Sequence, residues 1–191
     1  MTALVGLIRT FGLAMRLQAA QPELGFFDAY DHAAAAVDAS TAHVQPELLL
    51  AIAFVESRFD VTATSRVEGK KRRTGHYAST TPPANLNARQ SMYCGPLQTF
   101  ASSWSECVSL RDPHVAYAAG ADELEHWLRD KRVRGDLSIA LAGHGCGNYG
   151  VKTGKCNLYP QRVLWQQRRF ALGLPVANHN ETVQARRTPR S

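Results

Sequence analysis

Glu56 follows an unbroken apolar stretch, residues 48–55, and an ionisable group at the end of such a stretch requires a reason. Pro46 suits the first position of a helix. Stepping back from Glu56 by three, four and seven residues reaches Ala53, Ile52 and Leu49, so the carboxylate extends an apolar stripe at the edge of a core. Burial disfavours the charged form of a carboxyl group and moves its pKa toward the range in which a general acid works near neutral pH. The plainer alternative is a helix-end Glu that points to water. Further along stand other side chains able to bind or orient a ligand. They are Ser57 beside the acid, Gln98 in the turn Gly95-Pro96-Leu97-Gln98, His144 and Asn148 in a glycine-rich segment, and Tyr159 before Pro160.

The elements that must position these groups read mainly as helices. Residues 1–18 carry Leu4, Leu7, Ile8, Phe11 and Met15 at helical spacing, which predicts an amphipathic helix that packs on the domain or docks on a membrane or a partner. Arg9 and Arg16 interrupt any signal-peptide hydrophobic region. Residues 29–39 are alanine-rich and helical by propensity. From 59 to 92 the chain is polar, basic and broken by Pro82 and Pro83, which reads as an inserted loop with room for a short hairpin. Residues 99–109 and 115–132 read as helices, the second with Tyr117, Ala121, Leu124 and Leu128 along one face, and Asp112-Pro113 marks the turn between them. A short helix over 137–142 is expected to end in a loop over 143–150, and a last helix over 160–172 is stopped by Gly173 and Pro175. Three parts follow: a helical extension, 1–43; a central domain, 44–173; and a flexible basic tail, 174–191.

A chain of 191 residues, 45% of them hydrophobic, supports one packed domain and excludes a disordered protein. Lys and Arg number 22 against 16 Asp and Glu, a formal charge of +6 that calls for an anionic partner. The densest basic run, Lys70 to Arg73, and the tail arginines Arg186, Arg187 and Arg190 have no interleaved aromatic residues, which argues against a stacking surface for nucleic acid. No stretch of about 18 apolar residues free of charge is present, so no transmembrane helix is expected. The four cysteines allow three disulfide connectivities. Sequence proximity favours Cys94 with Cys107 and Cys146 with Cys156, the second closing the glycine-rich loop 147–155; reduced thiols and a zinc site are the competing readings, although short Cys-x-x-Cys pairs are lacking. Disulfides imply an oxidising destination, such as the periplasm, the cell exterior or a virion.

Glu56-Ser57, then Gly95-Pro96-Leu97-Gln98, then the segment from Ala140 to Gly147, then Tyr159-Pro160-Gln161-Arg162-Val163 occur in an order that resembles the lytic transglycosylase family. In that lysozyme-like family a Glu-Ser pair ends a buried helix, a Gly-Leu-Met-Gln turn follows, an Ala-Tyr-Asn-x-Gly segment comes next, and a late Tyr completes the groove. The resemblance covers residues 44–173. It departs where the family's Tyr-Asn falls on His144-Gly145, which removes an amide near the acid; either His144 or Asn148 could replace it.

The resemblance implies a mainly α, lysozyme-like (α+β) domain with a short β-ribbon at the groove. It implies action on the β-1,4 bond between N-acetylmuramic acid and N-acetylglucosamine of peptidoglycan. Glu56 would act as acid and then base, Ser57, Gln98, His144 and Asn148 would contact substrate or support the acid, and the Tyr159 hydroxyl would reach the carboxylate. The other motifs supply no second carboxylate, and Asp60 lies past the helix end. No cofactor or metal is called for, and the histidines show no metal-ligand spacing. Three alternatives stay open: a goose-type-like muramidase that uses water as nucleophile, a non-catalytic peptidoglycan-binding or virion structural protein, and nucleic-acid binding through the basic loop. Delivery by a phage particle, a lysis system or a secretion machine, through residues 1–43, fits the absence of a clear cleavable signal.

Overall fold

The computed structural model describes residues 2–65 and 92–175. The inserted loop with its basic run and the arginines of the tail lie outside the described residues. Seven helices are described: α1 (Thr2–Ala20), α2 (Phe26–Ala39), α3 (Pro46–Ser57), α4 (Trp104–Ser109), α5 (Pro113–Arg129), α6 (Leu137–Thr153) and α7 (Tyr159–Leu172). One two-stranded antiparallel sheet, β1 (Met92–Cys94) with β2 (Thr99–Ala101), completes a mainly helical molecule.

α3 is the central element. Pro46 takes an early helical position, where its missing N–H costs nothing, and every residue from Leu48 to Phe54 is buried. A helix apolar on all sides needs partners on all sides, and α2, α5 and α7 supply them. Each large side chain so buried contributes about 1.5–3 kcal/mol. The alanines of α2, Ala29, Ala33, Ala35 and Ala36, are fully buried and let α1, α3 and α5 approach closely. His32 of α2 is buried among them, with Nδ1 3.1 Å from the Tyr117 hydroxyl of α5.

Leu13, Ala14 and Leu17 of α1 and Ala33 and Ala36 of α2 belong to the same hydrophobic core as α3, α5 and α7. The face of α1 that enters this core is therefore not the stripe read from the sequence. Leu4, Leu7, Ile8, Phe11 and Met15 are all exposed, between 48% and 65%. The small residues and Leu17 win the interior side because α2 is itself alanine-rich, and a flat, close contact favours small side chains over large ones.

Residues 99–109 are not one helix. Thr99 to Ala101 pair with β1 in the register Met92↔Ala101, Tyr93↔Phe100 and Cys94↔Thr99, and α4 starts only after Ser103, whose hydroxyl accepts from the Glu106 N–H. The β-branched and aromatic Thr99-Phe100 pair suits a strand, and the Ser103 cap delays the helix. Asp112-Pro113 marks the turn between α4 and α5: Asp112 caps α5 by accepting from the His114 and Val115 N–H groups, and Pro113 opens it.

Candidate functional site

Glu56 stands where α3 leaves the core and is half-buried. The helix stops directly after it because Arg58 and Phe59 take left-handed backbone conformations, φ 60° and 69°, with their N–H groups returning to the Phe54 and Ala53 carbonyls. Phe59 is held there by the Phe54, Phe170 and His32 rings. The chain then runs along β1: the Ser65 N–H donates to the Tyr93 carbonyl and the Gly95 N–H to the Ala63 carbonyl. The β1–β2 hairpin is thereby tied to the end of the Glu56 helix.

The connection Gly95-Pro96-Leu97-Gln98 is the hairpin turn. Ser57 Oγ lies 2.9 Å from the Pro96 carbonyl and 3.2 Å from that of Ala53, pinning the turn to α3 beside the acid. Gln98 is buried, and its Nε2 donates to the Ala63 and Gly95 carbonyls at 3.1 and 3.0 Å. The side chains of Ser57 and Gln98 are thus engaged in shaping the turn, and a ligand contact from Gln98 would have to come from its Oε1.

The segment expected as a glycine loop is mostly helix. α6 continues to Thr153, and only Gly147 departs from helical geometry, with φ 57° and ψ −148°. That conformation is open to glycine and hostile to side chains, so the kink falls there. Cys146–Cys156 and Cys94–Cys107 are both disulfide-bonded. The former links α6 at the kink to the start of α7, and so braces a helical turn rather than a loop. The latter ties β1 to α4. Asn148, past the kink, is exposed and accepts from Arg132 Nη2 at 3.0 Å, itself paired with Asp130. Its hydrogen bond therefore runs to the α5–α6 connection.

His144 and Tyr159, by contrast, come together at the acid. The rings are 6.2 Å apart and inclined by 30°. Gly145 makes this approach feasible: a Cβ there would stand 2.8 Å from Tyr159 Cδ1 and 3.1 Å from Cys156 Sγ. The absence of a side chain at position 145 is accounted for by that packing. The Tyr159 phenol is buried, which pushes its pKa well above 10, and the charge of the nearby Glu56 carboxylate pushes in the same direction. Tyr159 is consequently a neutral phenol near Glu56.

Sequence reasoning missed Glu123. This α5 residue presents Oε2 to His144 Nδ1 at 3.4 Å, with the His144 side chain only 2% exposed. Burial alone would depress the His144 pKa, but the hydrogen bond and charge of Glu123, with help from Glu56 and the Leu97 carbonyl, raise it above 6.5. Burial would raise the Glu123 pKa, and His144 outweighs it and lowers it below 4.5. Nothing in the sequence separates Glu123 from its acidic neighbours Asp122 and Glu125; only the placement of α5 against α6 does. Asp60 is exposed and accepts from Thr62 in a local turn. Among the described residues no cluster of His, Cys, Asp or Glu could hold a metal ion, and no helix is long and apolar enough to cross a membrane.

The arrangement can protonate: a half-buried carboxylate, a neutral phenol against it, and a buried imidazole with a carboxylate behind. No family model matches this chain, and neither a characterised protein nor a solved structure resembles it significantly.

Proposed function

We propose that this chain is a peptidoglycan-cleaving enzyme of the lytic transglycosylase type on a lysozyme-like domain. It would cut the β-1,4 bond between N-acetylmuramic acid and N-acetylglucosamine. The observation that carries the reading is the convergence of Glu56, His144 and Tyr159, three residues 88 to 103 positions apart or 15 from one another in sequence, beside the Ser57-anchored turn. In the proposed reaction the Glu56 carboxylic acid gives its proton to the glycosidic oxygen as the C1–O bond breaks and an oxocarbenium-like centre forms. The muramyl C6 hydroxyl then forms the new bond to C1 and returns its proton to Glu56, giving the 1,6-anhydro product. Tyr159 would hold the carboxylate in place, Ser57 and Gln98 would shape the wall of the groove, and Asn148 would bind glycan further out. The formal charge of +6 suits the carboxylates of peptidoglycan, and the disulfides suit the periplasm, the cell exterior or a virion.

Mass spectrometry of fragments released from purified peptidoglycan tests this. Anhydro-muropeptides from the wild type, absent with Glu56→Gln, are expected. Reducing-end products lost in the same variant would assign the muramidase chemistry instead. No fragments from either protein would leave a binding or virion structural role.

A further inference from the structure

We propose that Glu123 is a positioning residue of the Glu56 site, acting through an ion pair with the buried His144 that holds the Tyr159 ring in register with the acid. The inference rests on the enzymatic reading for its consequence but not for the pair itself. His144 Nδ1 stands 3.4 Å from Oε2 of Glu123, a group that only accepts, and with the His144 side chain 2% exposed water cannot take the place of either partner. Two carboxylates, Glu123 beside the ring and Glu56 further off, favour its cationic form.

The cationic ring therefore joins α5, through Glu123, to α6, which carries His144. α7 packs on it through Tyr159. The groups that face this pair are Glu56 of α3, Tyr159 of α7, and His126 and Trp127 of α5. Glu123 keeps the pair close to neutral, so a cation stands beside Glu56 without a net charge being left in the interior. Losing the His144 proton would leave the Glu123 charge unpaired and release the Tyr159 ring from its place over His144. Folded His144 binds its proton more tightly than an ordinary histidine, so this happens as pH rises through a value above 6.5.

NMR titration of the His144 ring resonances, run beside the pH dependence of kcat and KM for fragment release, tests the proposal on the wild type, Glu123→Gln and Glu123→Asp. The wild-type ring should titrate above 6.5. In Glu123→Gln the midpoint should fall by about one to three pH units, the range expected on removing an opposite charge at this separation. The alkaline limb of kcat should move down with it while KM stays within about twofold, since Glu123 acts through His144 rather than on the glycan. Glu123→Asp, which keeps the charge, should retain most of the raised midpoint. A wild-type midpoint below 6.5, or a midpoint and kcat limb unmoved in Glu123→Gln, overturns the proposal. If the wild type releases no fragments at any pH, the enzymatic reading fails and with it the positioning role, while the titration still decides whether the pair exists.

Discussion

Gly145 shows how a single missing side chain can organise a site. The Tyr159 ring fills the place that a Cβ at 145 would take, and Tyr159 in turn meets Glu56. Gly145→Ala should therefore cost about 1–3 kcal/mol in urea denaturation and reduce fragment release more than that loss of stability explains, because the displaced ring carries the hydroxyl away from the acid. An unchanged denaturation midpoint would show that the ring yields freely. At this scale much of the site was legible from residue types: an acid ending an apolar helix, a late Tyr, and a His in a glycine segment. Glu123 was not legible, because its part depends on which helix α5 lies against, and one acidic residue among three on the same helix gives no hint of that. Ser57 and Gln98 were legible as important but not in kind. Their hydrogen bonds go to backbone carbonyls of the turn, and such partners are visible only once the turn is folded.

Among the elements, the helices opened by a proline and carrying long apolar periods, α3, α5 and α7, were readable, and those with ambiguous faces were not. α1 has two apolar faces. The sequence favours the one with larger side chains, whereas packing on the alanines of α2 selects Leu13, Ala14 and Leu17. Leu17→Ala should cost about 2–5 kcal/mol, while Leu7→Lys with Ile8→Lys should change stability by less than about 0.5 kcal/mol. Thermal denaturation of the two variants separates the faces, and the reverse order would mean that α1 packs by the other side. α6 was misread because glycines at 143, 145, 147 and 150 suggest a loop, yet three of the four serve close packing within or beside the helix and only Gly147 uses its conformational freedom. The cysteine pairs were readable from spacing alone. Breaking Cys94–Cys107 or Cys146–Cys156, closed over 13 and 10 positions, should each lower the unfolding free energy by about 2–3 kcal/mol. Denaturation of Cys146→Ala with Cys156→Ala, and of the corresponding pair at 94 and 107, measures it. Loss of the Cys146–Cys156 link should also reduce activity, since it fixes the kink to the start of α7 next to Tyr159.

Over the whole molecule, three titrating groups set opposite limits on stability. His32 is almost fully buried, and burial lowers its pKa from 6.5 to about 4, against smaller raising contributions from the Phe59 backbone, Asp28 and Asp31. A histidine kept neutral in the fold stabilises it fully above pH 6.5, and that stability is lost as pH falls from 6.5 through 4, about 3 kcal/mol in all. Glu123, held below 4.5, works in the same direction at still lower pH, its contribution present above 4.5 and lost as pH drops through its folded value. His144 runs the other way: with its pKa raised, its contribution is complete below 6.5 and disappears as pH rises through the folded value. Stability should accordingly peak at or slightly above pH 6.5 and fall on both sides. Calorimetry of the wild type and of His32→Gln between pH 4 and 9 checks the acid side. The variant, which has no proton to take up at position 32, should lose most of the decline between 6.5 and 4 and keep the alkaline decline. An acid limb as steep in His32→Gln as in the wild type would assign that limb to the carboxylates alone. An alkaline limb that vanished with His32 would contradict the separation of the two histidines, which meet different residues of α5, one Tyr117 and the other Glu123.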